Sequence, residues 1–169
     1  MTHGRLYQYF AGDHRRLEGL LEQAARQPER IDHEAYGRFR IGLLKHISME
    51  EKILLPAAQH YRGGKLLPIA SKLRLDHGAI ASLLVPPPSR AIIAALRAIL
   101  AAHDVLEEQV DGLYEVCERL AGGDLDALME KVLKAPEVPP MPHNDRPAVL
   151  DATRRALARA GYNFDDYVD

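Results

Sequence analysis

Four of the eight histidines in this 169-residue chain stand in a repeated setting that bears on chemistry. The segment DHRRLEGLL (13–21) matches DHGAIASLL (76–84), and HISMEEKILLP (46–56) matches HDVLEEQVDGL (103–113). Each half therefore carries an Asp-His pair followed by a His-x-x-x-Glu-Glu element, with 32 residues from His14 to His46 and 26 from His77 to His103. Residues four apart on a helix lie about 40° apart and one turn, roughly 6 Å, along the axis. His46 and Glu50 therefore project together, as do His103 and Glu107. Both pairs are in register with apolar neighbours, Leu43 and Ile53 in one case, Leu96 and Val110 in the other, so both are expected to face an interior. Burying four imidazoles and two carboxylates without partners costs several kcal/mol per group. A pair of metal ions at their centre removes that cost, and helix bundles build dinuclear sites from inward Glu and His on facing helices. Imidazole with carboxylate suits iron, and manganese or zinc fits the same ligands. A single His-x-x-x-Glu is weak evidence, because most such pairs are surface contacts worth a few tenths of a kcal/mol. The alternation of two Asp-His and two His-x-x-x-Glu-Glu elements favours a metal pair over a polar core network without metal.

The elements that must position these residues are helical. Leu6, Phe10, Leu17, Leu21 and Ala24 recur at three- and four-residue steps and predict a helix from about 5 to 27. Asp32 is placed to cap a second helix with Tyr36, Phe39, Leu43, Ile47, Ile53 and Leu54 on its apolar face; Pro56 should kink it and Gly63-Gly64 end it. A third helix is expected over about 68–84, with Ile69, Leu73, Ile80, Leu83 and Leu84 inward. Pro86-Pro87-Pro88 forces a non-helical link. Ser89 then caps a fourth helix carrying Ile92, Leu96, Ile99, Leu106, Val110, Leu113 and Leu120, up to Gly122-Gly123. No strand is expected. The fold class is all-α: an antiparallel up-down four-helix bundle with a short extra helix at about 124–134 and a C-terminal helical tail. Residues 1–134 form the bundle; 135–169 form a proline-rich linker and a short helix at about 148–160. Tyr162, Phe164 and Tyr167 in that tail suggest docking onto the bundle or onto a second copy as a homodimer; fraying is the other outcome.

Composition excludes several classes. With 47% apolar and 27% charged residues the chain is globular rather than disordered. Lys and Arg total 22 against 24 Asp and Glu, a net charge of −2, which gives no case for a nucleic-acid partner. No apolar run approaches the roughly 18 residues of a membrane span, and MTHGRLYQYF does not read as a signal peptide. Cys117 is the single cysteine, so no intramolecular disulfide or multi-cysteine metal site forms, and a reducing cytoplasm is the expected compartment.

The duplicated pattern resembles the hemerythrin-like proteins with the HHE cation-binding domain, over about residues 5–120. The resemblance implies an antiparallel four-helix bundle around a non-haem di-iron centre, oxo- or hydroxo-bridged. Carried over, the metal ligands are His14, His46, Glu50, His77, His103 and Glu107, with the two glutamates bridging. The sequence departs from the oxygen-carrying hemerythrins, which have a fifth histidine where Leu73 stands and end on an aspartate five residues after the last histidine, against Glu107 at four. Both metals then have open positions, which favours binding or reduction of oxygen, peroxide or nitric oxide over simple oxygen carriage. An iron- or oxygen-responsive sensing protein without turnover is the alternative. No residue apart from the ligands stands out as catalytic, so the sequence does not settle whether the protein is an enzyme.

The other candidates have blander expectations. Glu18, one turn after His14, is expected at the helix surface or rim, with an extra-ligand role as the alternative. His3, His33, His60 and His143 are expected at the surface. Cys117 should be a core residue about 21 Å along the axis from His103. Asp13 and Asp76 are turned about 100° from the adjacent histidine. Surface charge is their default, and orienting a histidine on a neighbouring helix the alternative. Glu51 and Glu108 are expected to be solvated. Tyr9, Tyr36 and Tyr114 are expected to pack in the core or an interface, with lining the access to the site as the alternative.

Overall fold

The computed structural model describes residues 2–168, and among these the regular structure is helical. In chain order the helices are α1 (Arg5–Ala24), α2 (His33–Met49), α3 (Leu55–Tyr61), α4 (Ala70–Leu83), α5 (Arg90–Glu108), α6 (Leu113–Ala121), α7 (Leu125–Leu133) and α8 (Pro147–Ala160). They form a helical bundle. Where an N-cap was expected it is present: Ala35 N–H donates to Asp32 Oδ1 (3.0 Å), and Ile92 N–H to Ser89 Oγ (3.2 Å). α1 ends at Ala24, three residues earlier than the periodicity suggests.

Two expectations about helix course are corrected. The second helix is not one α-helix with a proline inside it. The chain runs from α2 through a π-helical turn, Glu50–Leu54, into α3, and Pro56 lies in the first turn of α3. The Leu55 N–H reaches back five residues to the Glu50 carbonyl. Widening the turn just before Pro56 accommodates its missing donor and its ring. The fourth helix is not continuous to Leu120. It stops at Glu108, and Val110, placed inward by the periodicity, is 83% exposed. Residues 109–112 make a tight turn with Asp111 at φ 58°, and a Cβ on Gly112 would lie 2.5 Å from the Glu107 carbonyl oxygen. Only glycine lets the chain double back so closely onto the end of α5. The new helix, α6, is anchored to α1. The Glu118 carboxylate accepts from the Arg5 and Leu6 N–H groups (2.9 and 3.0 Å), capping α1 where Gly4 offers no side chain.

Two apolar clusters fill the core. One includes Leu17, Leu21, Phe39, Leu43, Ile80, Leu83, Leu96 and Ile99. The other includes Leu6, Phe10, Met49, Leu54, Leu73, Leu113, Tyr114 and Cys117. Along α1, α2 and α4 one cluster gives way to the other at a single histidine, and α5 carries its histidine beyond Ile99, so the polar groups sit between two dry layers. α8 packs along α4. Leu157, Ala160 and Phe164 are buried in the first cluster, with Tyr162 and Tyr167 packed against it, so the aromatic tail docks on its own bundle.

Candidate metal centre

His14, His46, His77 and His103 come from α1, α2, α4 and α5, and all four are buried. Glu50, at the junction of α2 with the π turn, and Glu107, at the end of α5, are fully buried among them. The donor atoms fall into two sets, each within 4.8 Å: His14, His46, Glu50 and Glu107; and Glu50, His77, His103 and Glu107. The structure thus brings together all six residues singled out from the repeat, with the two glutamates common to both sets.

The outer nitrogens show what the sequence reading undervalued. Each Nδ1 faces a carboxylate on an adjacent helix: His46 to Asp13 (2.8 Å), His77 to Glu51 (2.6 Å), His103 to Asp76 (3.1 Å) and His14 to Glu108 (2.6 Å). Asp13 and Asp76 are therefore not surface charges, and Glu51 and Glu108 are not simply solvated. Each sits next to a histidine or glutamate of the cluster. Turned about 100° from that neighbour, it faces the flank of the next helix rather than water. The contacts close a ring, α1 to α2 to α4 to α5 and back to α1. Ionised carboxylates only accept hydrogen bonds, so each Nδ1 carries its proton, and a neutral ring then presents a bare Nε2 lone pair inward.

Those inward lone pairs point at one another and at carboxylates, with the Tyr114 hydroxyl as the one neutral donor beside His14 and His46. His14 Nε2 lies 3.0 Å from His46 Nε2, and His77 Nε2 3.1 Å from His103 Nε2. Glu50 Oε2 and Glu107 Oε1 have no well-aligned hydrogen bond, though His77 Nε2 and His103 Nε2 stand 3.1 and 3.0 Å away. Acceptors converging at such distances repel unless a cation, proton or metal, lies among them. The charges respond accordingly. Burial alone would lower the histidines, but the glutamates and aspartates overcome it and hold His46 up at about 10, His77 at about 11 and His103 at about 9. Burial and mutual repulsion would raise Glu50, but His46 and His77 outweigh both and bring it to about 2.

Tyr114 takes the role that the sequence offers only as its alternative. It was expected to pack, and its ring does stack on Phe10 (centroids 4.9 Å apart), but its hydroxyl enters the cluster. Tyr114 Oη lies 2.6 Å from Glu50 Oε1, 2.9 Å from Glu107 Oε2, 3.0 Å from His14 Nε2 and 3.3 Å from His46 Nε2. Tyr114 follows Glu107 by seven residues, a helical interval that hints at a shared face, but the turn at 109–112 is what delivers it. The same turn corrects Cys117. It is a core residue as expected, but it is not far along a straight helix: burial and then the charges of Glu50 and Glu107 push its thiol to about 12.

A cavity of about 660 Å³ opens between α1 and α5 onto His14, His46, Glu50 and His103, with Leu21 and Leu100 among its apolar walls. Asp104 lies in it, raised to about 6 mainly by burial. Glu18 lies at the rim, exposed and near Arg15, as expected. His3, His33, His60 and His143 are exposed and outside the cluster.

No curated protein and no solved structure matches the chain. The hemerythrin HHE cation binding domain matches residues 5–159, nearly the whole chain, including α8 beyond the 5–120 expected from the motifs. No helix among the described residues is long and apolar enough to cross a membrane. The chain belongs to the hemerythrin HHE cation-binding family, and its buried histidine–glutamate cluster is the part able to hold metal.

Proposed function

We propose that the protein is a non-haem di-iron protein that binds or reduces oxygen, peroxide or nitric oxide. The observation that carries this is the pair of buried donor sets sharing Glu50 and Glu107, with their lone pairs converging. His14 and His46 would hold one metal, His77 and His103 the other, and the two glutamates would bridge them. Four imidazoles and two carboxylates fit iron, and manganese or zinc fits the same donors. When bound, the metal pair supplies the electrons for small-oxidant chemistry. The chain's own residues do the rest. The four outer carboxylates fix each imidazole's tautomer, the two apolar clusters close the site along the bundle axis, and the cavity between α1 and α5 admits a small ligand. An antiparallel up-down course for α1, α2, α4 and α5 belongs to this reading. It is supported by the short connections and by the alternating order in which successive helices meet the two apolar clusters. A cytoplasmic location and a division between bundle and tail near residue 134 belong to it as well.

The test is elemental analysis of protein purified without an affinity metal, followed by exposure of the reduced protein to each oxidant. About two irons per chain and turnover or a stable adduct are expected. Near-zero metal that iron reconstitution does not raise overturns the reading.

The positioning carboxylates carry their own prediction. Asp76 is fully buried, so Asp76→Ala leaves His103 Nδ1 without an acceptor in a dry site. Metal affinity should fall about 10–100-fold, measured by chelator competition, with His103 still in place. Unchanged affinity would show that the ring of carboxylates does not orient the histidines.

One observation favours the sensing alternative. Lys72 Nζ bridges Asp76 Oδ1 (2.6 Å) and the Ala160 carbonyl at the end of α8 (2.8 Å), so the tail is one residue removed from the partner of His103. Metal-dependent protease sensitivity of residues 135–168 would support that reading over turnover.

A further inference from the structure

The geometry points to Tyr114 as a seventh protein ligand, its phenolate oxygen binding the metal held by His14 and His46. The assignment depends on the metal reading above and extends it to a residue outside the repeat. Oη lies within 3.3 Å of a donor atom from every member of one set, His14, His46, Glu50 and Glu107. Among the described contacts it meets neither His77 nor His103. A phenol donates one proton, here to Glu50 at 2.6 Å, and accepts from protonated imidazoles in the metal-free protein; once those protons leave for a metal, its oxygen stands among bare donor atoms. A cation at the shared centre satisfies all five donors together. Oxygen donors of this kind suit ferric iron, and tyrosinate is an established ligand type for it. Coordination breaks the O–H bond, forms an O–metal bond and releases the proton to solvent.

The local structure holds the oxygen in place. The Tyr114 ring is fully buried, stacked on Phe10 and met edge-on by Tyr7 (centroids 6.5 Å apart). Its helix is aimed by the Gly112 turn and tied to the start of α1 by Glu118. The two metal positions are then unequal. One has five protein donors, His14, His46, Glu50, Glu107 and Tyr114. The other has four, His77, His103, Glu50 and Glu107.

The test is visible absorption and resonance Raman spectroscopy of the full chain loaded with iron and oxidised to the ferric state, with iron content measured on the same sample. Ferric phenolate gives a charge-transfer band with enhanced phenol-ring vibrations, which imidazole and carboxylate do not. Wild type is expected to show both. Tyr114→Phe should lose both while keeping about two irons per chain. Tyr9→Phe, whose hydroxyl faces Met49 Sδ at 3.9 Å, should keep them. Wild type with two irons and no such band, or a band that survives in Tyr114→Phe, overturns the assignment and leaves the di-iron reading standing. Iron content near zero in wild type overturns both.

Discussion

Glu107→Gln is expected to empty both metal positions, taking iron from about two per chain to near zero, whereas His14→Ala should leave about one. The difference follows from position. Glu107 belongs to both donor sets, His14 to one. The amide keeps the shape of the carboxylate but loses its charge and one acceptor oxygen. The same change removes charge that holds the imidazoliums of the metal-free protein, since Glu107 lies 3.0 Å from His103 Nε2 and 3.3 Å from His14 Nε2. Breaking one side of a buried ionic network costs on the order of 3–5 kcal/mol. For a chain of this length that corresponds to a melting temperature lower by roughly 10 °C. Elemental analysis and calorimetry on the same preparations check both expectations, with exposed Glu18→Gln as the control that changes neither. Retention of two irons by Glu107→Gln would remove Glu107 from the shared position.

Metal should stabilise the protein far more at alkaline than at mildly acidic pH. In the metal-free fold, His46, His77 and His103 are held at about 10, 11 and 9, above their ordinary 6.5. Groups raised in this way stabilise the fold fully below 6.5, and that contribution is lost as pH rises through about 9–11. Glu50 is lowered from 4.5 to about 2, so its contribution is full above 4.5 and is lost as pH falls toward 2. The metal-free protein is therefore most stable between about 4.5 and 6.5, where protons occupy the cluster. Metal needs bare Nε2 lone pairs and must displace those protons, so its affinity rises with pH. At a hundred times Kd, each bound ion adds about 2.7 kcal/mol, or roughly 5–10 °C. The gap in melting temperature between loaded and metal-free protein should be near zero at about pH 5 and approach that size per ion by about pH 8.5. A gap that does not change with pH would contradict the proton–metal exchange.

The chemistry of this protein is legible in its repeat because ligand pairs on a helix are a local property. His46 with Glu50, and His103 with Glu107, need only the four-residue spacing, and the apolar period says which way they face. The same period located most helices, and Asp32 and Ser89 marked two starts. It failed where a backbone departs from ideal geometry for reasons that lie elsewhere in the chain. An inward Val110 requires an unbroken helix, but α6 turns away at 109–112 and is tied to α1 through Glu118. The π turn before Pro56 is not foreseen because it leaves no mark in hydropathy.

By itself, then, the sequence determined most of the helices, the six inward groups and their fitness for metal, all within the reach of neighbouring residues on one helix. The tertiary structure decided which carboxylate holds which histidine and which tyrosine reaches the cluster. Asp13, Glu51, Asp76 and Glu108 act on the next helix, and Tyr114 arrives from a helix whose direction is set by a single turn. Contacts between elements depend on helix rotation, spacing and crossing, which periodicity along one element does not encode.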